Sequence, residues 1–522
     1  MVETMGETDR TVPAILRARA AQDPDGTAIW CEDRRTSFRE LDVRSDRIAT
    51  ALLTDGLRAG DRVAYIGKNS ERFLEMLHGC AKAGTVLVSV NYRLTAPEIH
   101  FILADSRSRL LAVDADLLPV GTEAIAGTGV DHVRVMDGGD DPRDFDTWRD
   151  AQPAGPVDVT PSVEDPVLQI YTSGTTGFPK GAVIPHRSFA GMLDLAHNVP
   201  QQPLRWYEGE SILCPMPNFH VGGSLFPFWV TMQGATIVLM PNFTPDAVLD
   251  AVETHSAAAF VAVPEMLQMI LANPRTETLD YSRLRYIYYG AAPMSPELLK
   301  RCMDTFGCRF TQTYGMTEHS VIGLLGPDDH GPDLAERMLS VGQRTPGMET
   351  EILDTAGNVV PPGVVGEICV KSPAMMLGYW RSDGTVDPSV DANGWFHTGD
   401  AGCYDESGYL FLKDRIKDML ISGGENVYPA EVERVLGEHP AVLEAAVVGL
   451  TDPQWGEVPK AYVVRRSDVD AADLQAFARE RLARYKVPKE IEFIDALPRT
   501  ASGKVRRRDL REHARREQGV TA

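Results

Sequence analysis

The segment YTSGTTGFPKG, residues 171–181, directly follows the apolar run VLQI (167–170), and its chemistry decides how the rest of the chain is read. Its three glycines can turn backbone N–H groups toward an anion, its four Ser/Thr hydroxyls add donors, and Lys180 adds a positive charge. A loop of this kind fed by a strand cradles a polyphosphate. It departs from the P-loop of kinases and GTPases, where Lys and Ser/Thr follow the last glycine, because here Pro179 precedes Lys180 and Gly181 follows it. Without the strand before it, the same composition would read as a flexible loop.

Upstream, periodicity predicts a helix over 38–56, with Phe38, Leu41, Ile48 and Leu52 on one face, a strand at 62–66, a helix at 70–83 and a strand at 85–90. This alternation implies a parallel sheet flanked by helices. Residues 131–156, rich in Asp, Gly and Pro, read as a surface connection. The strand and helix rhythm returns over 167–325, including LRYIYYG (284–290) and a helix starting near Ser295. After Met348 the runs shorten to EILD, GEICV and GYLFL, a small β-rich unit ending near residue 413. A compact α+β module follows, with helices at 429–437 and 470–483 and strands near 442–450, 460–465 and 491. The polar segment DRIKD (414–418) is the best boundary. The expected fold is α/β: a large N-terminal domain (1–413) of flanked parallel sheets plus the small β-rich unit, then a small mobile α+β C-terminal domain (419–522).

The chain has 522 residues, 52 basic and 74 acidic, for a formal charge of −22. That field repels nucleic acid and anionic bilayers. The charge sits on residues 1–413, since residues 414–522 are balanced at 19 basic and 19 acidic. Within the balanced part, residues 481–516 carry a local +7, read either as a solvated helical tail or as a docking surface for phosphates. The seven cysteines are scattered without metal-type spacing, which suits a reducing cytoplasm. No secretory signal is visible at the N-terminus. Residues 211–245 lack any charged side chain, yet four internal prolines and glycines break the stretch into pieces too short to span a bilayer, so it reads as buried core around a pocket.

With the glycine-rich loop in place, five more segments can be checked in order: YGAAP (289–293), YGMTE (314–318), GWFHTGD (394–400), DRIKDMLISGGENVYPAEVE (414–433) and PRTASGK (498–504). In order and spacing the six resemble the motifs of the adenylate-forming superfamily, which comprises acyl-CoA synthetases, peptide-synthetase adenylation domains and firefly-type luciferases. The resemblance spans about residues 12–510 and is strongest to the medium-chain, long-chain and aryl branch of the acyl-CoA synthetases.

The resemblance implies roles. Thr172, Ser173, Gly174, Thr175, Thr176, Gly177 and Lys180 would hold the phosphates of ATP. Tyr314 would stack on adenine against Gly290, Ala291 and Ala292, with Gly315 beside it. Thr317 would bind the α-phosphate, with helix N-capping as its competing use, and Glu318 would hold Mg²⁺. Asp400 and Arg415 would clamp the ribose; the other reading is a surface ion pair. Lys504 would stabilise charge on the carboxylate and α-phosphate as pyrophosphate leaves. Lys417 occupies the hinge position about which the C-terminal domain alternates between half-reactions. Gly423 and Gly424 would lie along the pantetheine channel of coenzyme A, or form a plain turn, and Trp455, Arg484, Tyr485 and Lys486 would contact its nucleotide. His220 would stand between the acyl pocket and the thiol channel, or be a satisfied core side chain. The pocket itself would be lined by His220, Gly222, Gly223, Gly315, Val321 and Ile322, with Gly222 and Gly315 standing where relatives with small pockets carry rings.

The implied activity is a two-step ligase of lipid or aryl-acid metabolism that makes acyl-AMP from a hydrophobic carboxylic acid and ATP, then passes the acyl group to coenzyme A. Two alternatives stay open: an adenylating enzyme serving a carrier protein, and a luciferase-like oxygenase. His220 follows Phe219 where amino-acid-activating relatives carry Asp, which disfavours an amino-acid substrate. The sequence leaves the particular acid open, and monomer against homodimer too.

Overall fold

The computed structural model describes residues 5–6, 10–172, 179–199, 203–292, 294–422, 425–453, 455–499 and 505–517. Contacts divide the chain into two compact units, Met1–Glu349 with Val370–Phe396 and Thr350–Cys369 with His397–Ala522.

The first unit holds two large mixed sheets. In one, Pro166–Thr172, Val86–Val90, Arg62–Ile66, Ser108–Asp114 and His132–Met136 run parallel in that spatial order. Lys180–Pro185 pairs antiparallel with Pro166–Thr172, and Gly378–Trp380 pairs antiparallel with Lys180–Pro185. In the other, the parallel strands Arg309–Met316, Tyr286–Gly290, Ala259–Ala262, Ser211–Cys214, Thr236–Leu239 and Thr27–Cys31 lie side by side in that order. The hairpin partner Ser320–Leu325 closes onto Arg309–Met316.

Local sequence explains why the helices begin and end where they do. Phe38–Thr54 starts at a capping box, in which the Glu40 amide donates to Ser37 Oγ at 3.2 Å and the Ser37 amide donates to Glu40 Oε2 at 2.7 Å. Glu71–Ala83 stops at Gly84, whose φ of 70° suits glycine. Every residue of that helix is buried, so its charges are paired internally. Glu75 accepts from Arg44 at 2.9 Å and Arg149 at 2.8 Å, and Lys82 donates to Asp42 and Asp46, both at 2.6 Å. The helix is thus part of an interior layer.

The strands at 62–66 and 85–90 and the helices at 38–56 and 70–83 appear within a residue or two of their expected bounds. Residues 131–156, expected as a surface connection, also carry regular elements. They contain the strand His132–Met136 and the helix Phe145–Asp150, whose Phe145 is fully buried and whose Asp144 side chain accepts from the Thr147 amide at 2.8 Å. Elements of five and six residues are too short to show periodicity, and the strand exists because Ser108–Asp114 offers it a parallel edge.

The charge-free stretch is interior, as expected: strands Ser211–Cys214 and Thr236–Leu239 flank the helix Val221–Met232, which contains Pro227. Among the described residues no helix is long and apolar enough to cross a membrane.

The second unit has a four-stranded sheet, Glu349–Leu353, Gly366–Lys371, Phe396–Tyr404 and Leu410–Arg415, and a separate sheet built on the hairpin of Val442–Asp452 and Gly456–Arg465. The strands Leu420–Ser422, Glu425–Val427 and Glu490–Phe493 extend that sheet, and the helices Pro429–Gly437, Ala471–Arg479 and Arg507–Glu517 belong to the same unit.

Candidate active site

In the first unit, the strand Pro166–Thr172 ends at the glycine-rich loop and the chain returns along Lys180–Pro185, with Thr172 opposite Lys180. Thr172 Oγ1 donates to Glu318 Oε1 at 3.3 Å, and the Tyr379 hydroxyl donates to the same oxygen at 2.7 Å. The Met376 amide donates to the Glu318 carbonyl at 2.9 Å, tying down its backbone. Lys180 Nζ lies 5.0 Å from the centre of the Tyr379 ring. Glu318 is therefore buried at the mouth of the loop, held through one oxygen. No described residue donates to its Oε2, so a hard cation could take that oxygen while the hydroxyls keep Oε1.

Glu318 sits in the turn between Arg309–Met316 and Ser320–Leu325. Tyr314 lies on that hairpin, half-buried, one residue beyond Thr313, which is in register with Gly290 of the neighbouring parallel strand. A Cβ at Gly290 would strike the Thr313 carbonyl oxygen, so only glycine lets these strand ends approach so closely. Ala291 and Ala292 follow, exposed, with Ala291 at a φ of 64°. Such strand carboxyl ends are where ligands bind in open α/β sheets. Thr317 is half-buried in the same turn.

His220 is half-buried and precedes the helix Val221–Met232, its ring 4.6 Å from that of Phe219. The loop before it is held by buried amides absent from the sequence reading. Asn69 Nδ2 donates to the carbonyls of Met216 (2.9 Å) and Met240 (3.0 Å), and Asn218 Nδ2 donates to those of Gly67 (3.1 Å) and Lys68 (2.9 Å). A lone Asn carries no local signal; only the fold brings residues about 150 positions apart together.

The expected pocket glycines differ in kind. At Gly222 an added Cβ would meet only Met216 Cε, at 3.8 Å. At Gly223 it would strike the Pro217 carbonyl, and at Gly315 the Ser320 carbonyl. Gly315 thus has a local reason to be glycine besides its expected place in the pocket wall: its hydrogen permits the tight hairpin. Val321 and Ile322 are adjacent and buried on one strand, with side chains on opposite faces.

In the second unit, Asp400 and Arg415 face each other across the strand pair, Arg415 Nε donating to Asp400 Oδ1 at 2.8 Å. Asp400 is largely buried, and Arg415 also donates to the Thr398 carbonyl at 3.3 Å. Lys417 is exposed in the turn that follows. Trp455 and Tyr485 are exposed, Arg484 and Tyr485 lie in a 3₁₀ turn, and Lys486 donates to both oxygens of Glu431 at 2.8 and 2.7 Å. Much of the local +7 is answered by acids of the unit outside 481–516: Lys486 pairs with Glu431, Arg499 with Glu444, Arg507 with Glu433 and Arg511 with Asp418. The phosphate-docking reading of that charge is narrowed accordingly. Ser173, Gly174, Thr175, Thr176, Gly177, Gly423, Gly424 and Lys504 lie outside the described residues.

Thr172, at one end of the glycine-rich loop, is thus pinned to a buried glutamate on the hairpin that carries Tyr314. Comparison with known proteins identifies the family. Residues 16–380 match the model of the AMP-binding enzymes, and residues 431–504 match that of the AMP-binding enzyme C-terminal domain. The fatty acid–[acyl-carrier-protein] ligase ScoC of Streptomyces coeruleorubidus is 42% identical over 514 residues, 96% of either chain. A feruloyl-CoA synthase of Amycolatopsis sp is 38% identical, covering 94% of this chain and 97% of its own. The crystal structure of the anthranilate CoA ligase AuaEII with anthranoyl-AMP superposes with a TM-score of 0.88 at 27% identity, covering 99% of this chain and 100% of the other. The chain belongs to the AMP-binding, adenylate-forming enzyme family. It is an AMP-forming acid–thiol ligase.

Proposed function

We propose that the enzyme activates a hydrophobic carboxylic acid, long-chain, aryl or polycyclic, and transfers it to coenzyme A. In the first step a carboxylate oxygen attacks the α-phosphorus of ATP and pyrophosphate leaves, giving acyl-AMP. In the second, the thiolate of coenzyme A attacks the acyl carbon and AMP leaves. Catalysis rests on positioning and on stabilising charge that develops on phosphoryl oxygens. The observation that carries this reading is the Glu318 carboxylate fixed by Thr172 and Tyr379 at the loop mouth. Glu318 is the residue that would hold Mg²⁺, through Oε2, and the ion supplies neutralisation of phosphate charge.

The remaining assignments belong to the same proposal. Residues 173–177 and Lys180 take the phosphates, Tyr314 with Gly290, Ala291 and Ala292 takes the adenine, Thr317 the α-phosphate, and Asp400 with Arg415 the ribose. Lys504 serves the first step. Gly423, Gly424, Trp455, Arg484, Tyr485 and Lys486 serve the thiol substrate, with Lys417 as hinge within 414–418 between an N-terminal domain (1–413) and a C-terminal domain (419–522). His220 and Gly222 border the acyl group. Seven thiols outside any disulfide support a cytoplasmic location.

Acid-dependent exchange of labelled pyrophosphate into ATP, screened over fatty, aryl and polycyclic acids, tests the first step. Exchange with none of the three classes, or exchange independent of acid, would overturn the proposal. A second reading has one observation in its favour: the relative that is 42% identical is a ligase to acyl-carrier protein. Thioester yield with coenzyme A against yield with holo-carrier protein separates the two acceptors.

A further inference from the structure

The four-stranded sheet of the second unit brings together three side chains that the chemistry above does not use. Glu367 and Cys369 stand two apart on Gly366–Lys371 and so share a face, and His397 lies on the neighbouring strand Phe396–Tyr404. His397 Nδ1 is 2.7 Å from Glu367 Oε2 and 3.4 Å from Cys369 Sγ. One carboxylate oxygen, one imidazole nitrogen and one thiol sulfur all lie within 4.8 Å of one another. Cys369 is fully buried, whereas the His397 side chain is 42% exposed, so the cluster has a dry floor and an open mouth.

The geometry points to a three-ligand site for a thiophilic divalent cation of the zinc class, with a fourth position open to water or a small ligand. The donor set decides the class of ion. Sulfur and nitrogen donors select Zn²⁺ and its kin, while Mg²⁺ and Ca²⁺ require oxygen shells. Bond lengths of about 2.0–2.3 Å in a tetrahedron place ligand atoms about 3.3–3.6 Å apart. The sulfur–nitrogen separation already matches, and the nitrogen–oxygen pair has to open by about half an ångström as its hydrogen bond is replaced. The charges balance: on binding, the Cys369 thiol gives its proton to solvent, the His397 ring shifts its proton to Nε2, and thiolate plus carboxylate neutralise the dication. Local spacing gives no hint of the site, because its ligands come from two strands 28 residues apart.

The site adjoins the segment that carries Asp400. Glu367 Oε1 accepts from the Gly399 amide at 3.0 Å, and Thr398 Oγ1 donates to the Ile368 carbonyl at 2.8 Å. Glu367 can keep that contact through Oε1 while ligating through Oε2, so a bound cation would fasten the two strands together there.

Cobalt(II) titration of the chelator-stripped full chain tests the inference, because thiolate-to-cobalt charge transfer is visible spectroscopically whether or not the enzyme is active. The expected result is one equivalent bound with a charge-transfer band that Zn²⁺ displaces. His397→Ala, a change at an exposed side chain, should weaken cobalt binding at least about tenfold. Cys369→Ser should remove the band, and Cys403→Ser, on the strand that carries His397, should keep it. No band in the wild-type chain, or an undiminished band and affinity in His397→Ala, would overturn the assignment. Should Cys369→Ser fail to fold, His397→Ala decides by itself.

Discussion

Across 61 residues of chain, the Tyr379 hydroxyl donates to Glu318 Oε1 at 2.7 Å. The two come from different sheets: Tyr379 pairs with Ala182 on the strand leaving the glycine-rich loop, and Glu318 turns the hairpin of the other sheet. Thr172 joins them on the same oxygen, so one carboxylate staples the loop's sheet to the hairpin. A hydrogen bond to a charged group contributes about 1.5–3 kcal/mol. Tyr379→Phe should therefore slow acid-dependent pyrophosphate exchange by about ten- to a hundredfold and spare thioester formation from supplied acyl-AMP. Equal rates in exchange assays of wild type and variant would refute a role for the contact.

Lys504→Ala should abolish adenylation while leaving the second half-reaction intact, since the charge it would stabilise develops only as pyrophosphate departs. Loss of one preorganised donor typically costs about 10²–10³ in rate. Single-turnover measurements of each half-reaction check this; parallel loss in both argues that the lysine is structural.

Lys417→Pro should act in the opposite sense. The side chain is exposed, and among the described backbone hydrogen bonds of this turn the amides of Ile416, Asp418 and Met419 are donors while that of Lys417 is not, so proline removes no bond. Thioester output should fall while pyrophosphate release continues, as expected of a frozen hinge. Unchanged turnover to acyl-CoA would show that no rotation about this residue is needed.

Gly222 and Gly315 should respond differently to added side chains. Gly315→Ala places a carbon against the Ser320 carbonyl, an overpacking that typically costs about 1–3 kcal/mol, and should lower Tm and activity on all acids alike. Gly222→Leu enters open space beside Met216 and should leave Tm nearly unchanged while shifting preference toward smaller acids. Calorimetry with a chain-length series of acids distinguishes them; a selective effect at Gly315 and a global one at Gly222 would invert the assignment.

Acid should destabilise the first unit earlier than its carboxylates alone would. Burial pushes the imidazoles of His78 and His186 down to about 3 and that of His319 to about 4. Each is neutral when folded and free to take a proton when unfolded. The unfolded chain therefore binds more protons between those values and 6.5, and stability present above pH 6.5 is lost as pH falls. Asp114, raised by burial to about 6, works in the opposite direction between 3.8 and 6 and offsets part of one histidine. Denaturant midpoints at pH 7.5, 6.5, 5.5 and 4.5 should fall steadily, and His78→Leu should flatten the slope. A midpoint independent of pH over this range would contradict the burial of these rings.

What could be read from residue order alone was whatever short-range chemistry encodes. Alternating helix and strand periodicity implied parallel sheets. The apolar face of Phe38, Leu41, Ile48 and Leu52 marked a helix. The glycine, hydroxyl and lysine content of 171–181 announced a phosphate loop, and six ordered motifs led to the family. Tertiary structure alone decided which distant groups meet. It put Tyr379 on Glu318, set Asn69 beneath the loop before His220, joined Arg511 and Arg507 to acidic partners, and drew Glu367, Cys369 and His397 together. It also revealed that Gly315 is small because a carbonyl crosses its α-carbon. The division has a physical cause. Caps, turns and amphipathic faces act within a few residues and leave a pattern there, whereas sheet order and register arise from the packing of the whole unit and leave no mark on the neighbours of any one side chain.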